Sequence, residues 1–144
     1  MLSVSCKASI KAVIYLGSKL KPEERAGIKA VARFIDENEH TVGKILQKLV
    51  KADIINSMKG PYGGFYISDR QTKLQVMTIV EAIDGKEVFN RCGLGFSKCS
   101  NSHPCPFHND FKEVRELFKE MYNKNTIGGL CSLVDKGITF LVGK

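Results

Sequence analysis

The sequence predicts a mainly α-helical protein with one small β-hairpin: a winged helix-turn-helix followed by a long dimerisation helix. Three observations carry this. Apolar residues recur at helical spacing in successive segments. A glycine-rich turn, Gly60-Pro61-Tyr62-Gly63-Gly64, separates two short strand-forming stretches directly after the third helix. Positive charge gathers in the first half, where residues 1–75 carry 13 Lys and Arg against 7 Asp and Glu, while residues 76–144 carry 9 against 8.

Taken in order, the first helix covers Ser5 to about Leu20, with Ile10, Val13, Ile14 and Leu16 apolar, and Pro22 interrupts it. In the second, Ile28, Val31, Ala32 and Ile35 fall at i, i+3, i+4 and i+7. A polar turn at Asp36–Glu39 leads to a third helix beginning near Thr41, read as its N-cap. Its inward side is Val42, Ile45, Leu46 and Leu49, and its outward side is Lys44, Gln47, Lys48 and Lys51. Two short helices joined by a tight turn, the second with a basic outer face, read as a helix-turn-helix. Strands at Ile54–Met58 and Phe65–Ile67 then form a wing with Lys59 and Tyr62 near its tip. A fourth helix spans about Leu74–Asp84, and Gly85 stops it. A fifth runs from about Asn109 to Tyr122. Its stripe of Phe111, Val114, Leu117, Phe118 and Met121 opposes a charged side that includes Lys112, Glu113, Arg115, Glu116 and Lys119. Burying that stripe calls for a second copy of the chain, since readers of DNA with this motif usually work as two-fold dimers. Packing within the chain is the plainer alternative. A last short helix follows, capped by Thr126. The division is 1–85 DNA-binding domain, 86–108 cysteine loop, and 109–144 dimerisation and C-terminal helices.

Length and composition fit this scheme. At 144 residues and 43% hydrophobic, the chain builds one ordinary core without disulfides. Five cysteines, an odd count, argue against a closed disulfide framework. No apolar run reaches the length of a membrane span, and the N-terminus reads as an amphipathic helix, not a signal peptide. The expectation is a cytoplasmic protein with reduced thiols. The net charge of +7 suggests a polyanion partner, most simply double-stranded DNA. A solvated basic surface is the alternative.

The stretch RCGLGFSKCSNSHPCPFH, from Arg91 to His108, holds three of the five cysteines and two of the three histidines. The spacing is Cys92-x6-Cys99-x5-Cys105-x2-His108. Thiolates bind soft or borderline metals, and an imidazole can complete a set of four. Tight C-x2-C pairs, usual in structural zinc sites, are absent. Wider spacing suits a larger object such as an iron–sulfur cluster. A loop of incidental, redox-reactive cysteines is the other reading.

The opening LSVS…AVIYLG, the helix-turn-helix ending ILQKLVKADII, the wing KGPYGGFYI, the helix VMTIVEAIDG and the following RC…C…C together resemble the Rrf-two family of bacterial winged-helix regulators, with its IscR and NsrR branches. The resemblance covers nearly the whole chain. It implies a dimer joined by the long helix, with the second helix of the helix-turn-helix in the major groove and the wing in the minor groove. It also implies that Cys92, Cys99 and Cys105 hold a cluster. His108 matches the fourth ligand of the IscR branch, which favours [2Fe-2S] over the [4Fe-4S] of the nitric-oxide branch. An exposed cluster can be lost in air, so an isolated preparation need not contain it. The NsrR branch takes an Asp of the partner's first helix as fourth ligand. Lys7 stands at that place here, and its neighbour Cys6 is the alternative donor. Gly43 removes a side chain where IscR-like members carry a discriminating acid.

On this basis Lys44, Lys48, Lys51 and Lys59 are expected to bind phosphates, with Tyr62 beside them at the wing. His40, Thr41, Lys44 and Gln47 are the candidates for base edges. His103 competes with His108 within the loop, and Cys131 reads as a buried small hydrophobe. No Ser-His-Asp set, paired-carboxylate motif or Walker pattern is present, so no enzyme is expected. The remaining alternatives are a regulator with a thiol switch or zinc, a small iron–sulfur electron carrier, and a scaffold that uses the long helix alone.

Overall fold

The structure, a computed structural model, describes residues 2–95 and 100–143. Its centre is helix α1 (Val4–Ser18), whose N-cap Ser3 accepts from the Cys6 N–H at 3.0 Å. Small and medium apolar residues (Ala8, Ala12, Val13, Leu16) are buried along it. They let four elements approach: α2 (Ile28–Ile35), α3 (Glu39–Lys51), α5 (Val76–Asp84) and α7 (Ile127–Asp135) all pack on α1.

Helices α2 and α3 form the expected helix-turn-helix, and Val42, Ile45, Leu46 and Leu49 are the buried side of α3. The turn differs in detail. Asp36 ends α2 in the left-handed region at φ 56°, and Asn38, not Thr41, caps α3. The Asn38 carboxamide oxygen accepts from His40 N–H at 2.8 Å and from Thr41 N–H at 3.2 Å. Satisfying two orphan amides at once explains the earlier start.

Ile54 and Ile55 belong to the core and precede the wing. Strand β1 (Asn56–Met58) pairs antiparallel with β2 (Gly64–Tyr66), in the register Asn56↔Tyr66, Ser57↔Phe65 and Met58↔Gly64. Ala26 joins the hairpin to the helical body. Its N–H donates to the Phe65 carbonyl at 3.0 Å, and Phe65 N–H donates back at 2.7 Å. This close pass needs Gly64, whose φ is +141° and whose Cβ, if present, would lie 2.9 Å from the Ala26 carbonyl.

A four-residue helix not expected from the sequence, α4 (Asp69–Thr72), follows the wing. The next helix therefore begins at Val76 and not at Leu74. The residues between pair with a distant segment: Val76 N–H donates to Asn125 at 2.9 Å and Ile127 N–H to Leu74 at 2.9 Å. A 3-10 helix (Lys86–Asn90) then leads into the cysteine loop. Helix α6 (His108–Lys124) is longer than expected at both ends, and Thr126 caps α7 by accepting from Gly129 N–H at 3.0 Å.

A second apolar cluster joins the start of α1 to this later half. Cys6, Val76, Met77, Val80, Val88, Phe89 and Tyr122 are buried together. No described helix is long and apolar enough to cross a membrane.

Gly64→Ala forces a side chain into a strained backbone and against Ala26. A loss of about 1–3 kcal/mol is expected in urea unfolding. Unchanged stability would contradict the role given to the Ala26 bridge.

Candidate nucleic-acid interface and cysteine loop

The basic surface is built by two neighbouring elements. On α3, Lys44, Gln47, Lys48 and Lys51 are exposed on the side opposite the buried Val42-Ile45-Leu46-Leu49 stripe. His40 is exposed and Thr41 half-buried in the first turn. At the tip of the wing, Lys59 is exposed and Tyr62 is 89% exposed. A groove of about 380 Å³ runs between α3 and the wing, lined by Gln47, Lys51, Met58 and Lys59 among others. The salt bridges among the described residues, Arg70–Asp53 and Lys119–Glu116, do not involve any of these lysines. These exposed lysines thus have no ion-pair partner among the described residues, which favours an external polyanion.

The cysteine loop is described at both ends. Cys92 follows the 3-10 helix and is buried, with the Leu94 N–H 3.4 Å from its sulfur. Cys105 is buried just before α6, and its carbonyl accepts from His108 N–H at 3.0 Å. His108 is the first residue of α6, also buried, with Nε2 2.8 Å from Asn101 Oδ1. His103 is exposed. Cys99 lies outside the described residues, and among the described residues no three His, Cys, Asp or Glu side chains gather closely enough to hold a metal ion. The donor chemistry nonetheless fits a thiophilic group, because two buried thiols and a buried imidazole flank one loop.

Packing carries the loop's position into α6. A Cβ on Gly93, the residue after Cys92, would collide with the Phe111 ring. Arg115 is buried, and its Nη1 donates to the Arg91 carbonyl, just before Cys92, at 3.0 Å. This corrects the helical pattern in the sequence, which put Arg115 on the charged outer side. The outward stripe is narrower than expected: Val114, Leu117 and Met121 are exposed, while Phe111 and Phe118 are half-buried within the chain.

Cys6 is fully buried in its own chain, among Val76, Val80 and Tyr122, and does not face outward as a donor. Burial, with the Asp84 carboxylate nearby, pushes its thiol up to about 12. Ser3 anchors that carboxylate through its N–H, 2.9 Å away, and its hydroxyl. Cys131 is the buried small hydrophobe expected, and burial pushes its thiol up to about 11.

Comparison with known proteins decides the family. The model of the Rrf2 family, described as an iron-dependent transcriptional regulator, matches residues 2–132. The chain belongs to the Rrf2 family of transcriptional regulators. An HTH-type transcriptional regulator of Aquifex aeolicus is 23% identical over 138 residues, 94% of each chain. The regulator NsrR of Geobacillus kaustophilus is 23% identical over 123 residues, 85% of this chain and 83% of its own. Among solved structures, CymR, the global cysteine regulator of B. subtilis, superposes with a TM-score of 0.73 at 18% identity, covering 92% of this chain and 96% of its own. That likeness establishes the winged-helix fold of this Rrf2 regulator. Membership of a family of transcriptional regulators implies DNA binding.

The two deeply buried thiols give a pH dependence. Unfolded, Cys6 and Cys131 ionise near 9; folded, near 12 and 11. The folded state holds their protons more tightly, so their contribution is full below pH 9 and is lost as pH rises toward the folded values. Urea unfolding is expected to show lower stability at about pH 10 than at pH 8, with a smaller drop in Cys6→Ala. Equal drops in both proteins would contradict this.

Proposed function

We propose that the chain is a homodimeric DNA-binding regulator gated by an iron–sulfur cluster on the loop Cys92–His108. The observation that carries the DNA half is the exposed basic face of α3 beside the wing, free of competing ion pairs among the described residues. Lys44, Lys48, Lys51 and Lys59 bind phosphates and set the register. His40, Thr41, Lys44 and Gln47 meet base edges in the major groove, and Tyr62 lies against the minor groove with the wing. Residues 1–85 act as the DNA-binding unit, 86–108 as the sensing loop and 109–144 as the dimerisation unit. The exposed Val114, Leu117 and Met121 on α6 support pairing with a second copy. Pairing also gives the two recognition helices that a two-fold operator needs.

Cys92, Cys99, Cys105 and His108 would hold the cluster, and the [2Fe-2S] form is favoured by the histidine. Three things support this: the family's description as iron-dependent, the burial of Cys92, Cys105 and His108, and Asn101 beside the imidazole. Ligand histidines characteristically make such a second bond to an oxygen. When bound, the cluster supplies a reversible one-electron change and a charge that depends on its state. The chain's part is mechanical. Arg115 holds the Arg91 carbonyl and Phe111 sits on Gly93, so any shift at Cys92 is felt along α6. Through α6 it changes the spacing of two DNA-binding units, a two-state switch acting at a distance.

Anaerobic purification with iron, acid-labile sulfide and zinc assayed per subunit tests this. Equal iron and sulfide, both lost in Cys92→Ala while the dimer stays folded, is the expected result. Zinc alone would replace the cluster with a structural metal. No metal, with intact DNA binding, would leave a thiol switch.

A further inference from the structure

Gln71 is fully buried in α4, and its carboxamide bonds at both ends. Its Nε2 donates to the Asp53 carbonyl oxygen at 3.2 Å and to Asn56 Oδ1 at 3.0 Å. Its Oε1 accepts from Asn56 Nδ2 at 3.2 Å, from Ser68 N–H at 2.9 Å and from the Ser68 hydroxyl at 3.1 Å. One side chain thereby ties the turn that leaves α3, the first residue of β1, and the segment that leaves β2. The Asp53 it holds is in the left-handed region at φ 60°. Asp53 also pairs with Arg70 through two contacts of 3.0 Å; both side chains are well exposed, so that pair adds little.

Helix α4 is itself fixed from behind. A Cβ on Gly128 of α7 would lie 3.0 Å from the Thr72 carbonyl oxygen. A two-stranded hairpin is at best marginally stable alone. Besides the packing of Ile55, Phe65 and Ile67 on the core, the wing takes its direction from two polar anchors, the Ala26 bridge on β2 and Gln71 on β1.

We propose that Gln71 is a positioning residue for DNA binding: it locks the wing to the end of the recognition helix, so that Lys59 and α3 reach one duplex together. The inference rests on the reading that α3 and the wing bind DNA jointly. It goes beyond it in assigning the wing's aim to a side chain that does not touch the surface. A buried amide that is cut back to an apolar residue leaves the Asp53 carbonyl and the Asn56 amide without their partner. The hairpin then has to move to satisfy them.

A double-mutant cycle tests this, using anisotropy of a fluorescent duplex selected from a random-sequence pool by the full-length protein. In the parent protein, Lys59→Ala is expected to weaken binding about fivefold. In a Gln71→Met background it should cost less than about twofold, because the wing no longer delivers the lysine. Lys48→Ala on α3 should cost the same in both backgrounds. Asn56→Ala, which removes only the β1 side of the pair, should reproduce the pattern and serves if Gln71→Met does not fold. A full Lys59 effect in both backgrounds would overturn the positioning role while leaving the joint surface intact. Loss of the Lys59 and Lys48 effects alike in Gln71→Met would also overturn it, since that is general destabilisation. No Lys59 effect in the parent protein would overturn the joint surface itself, and the inference with it.

Discussion

The structure depends on the burial of α1. The helix is covered by α2, α3, α5 and α7, and Val13 and Leu16 alone contribute about 1.5–3 kcal/mol each by leaving water. Its small residues, Ala8, Ser9 and Ala12, allow neighbouring backbones to come close. Lys11 reaches the Ile35 carbonyl at the end of α2 at 3.4 Å. Ser3, at its N-cap, ties to Asp84 at the end of α5. One helix therefore fixes the recognition helix on one side and the approach to the cysteine loop on the other. Neither α3 nor the end of α5 can move far without disturbing α1.

The two surfaces differ in how they handle charge. On α3 and the wing the lysines are exposed and have no ion-pair partner among the described residues, which suits a partner that brings its own negative charge. On α6 a cation is buried: Arg115 sits on the inner side of the helix, bonded to a backbone carbonyl beside Cys92. Burying a guanidinium is costly unless charge and hydrogen bonds compensate it. The family relationship gives these surfaces their context, that of a transcriptional regulator.

Much of the fold was legible in the sequence because it follows from periodicity. Val31, Ala32 and Ile35, with Ile28 half-buried beside them, and Val42, Ile45, Leu46 and Leu49 face the core as their spacing requires, and Gly63-Gly64 marks the return strand of the wing. Most of what escaped was decided by contacts distant in sequence. Helix α4 is too short to show a period and exists because Gln71 finds Asp53 and Asn56. The true cap of α3 was hidden because Asn38 and Thr41 are both good caps, and only the turn geometry selects between them. Arg115 read as solvent-facing because a charge on a helix usually is; its burial depends on Arg91, 24 residues away. At the cysteine loop, spacing singled out candidate donors; Cys92, Cys105 and His108 are each buried at the ends of the loop, while Cys99 lies outside the described residues.

The most direct test of a metal-gated regulator is the affinity of one preparation for one duplex in two states. The protein is purified without oxygen, titrated against a duplex selected from a random-sequence pool, stripped of metal with a chelator, and titrated again at the same salt concentration. A change of tenfold or more in affinity, reversed when iron and sulfide are restored and absent in Cys92→Ala, is the predicted result. Identical affinities in the loaded and stripped states would contradict gating through this loop.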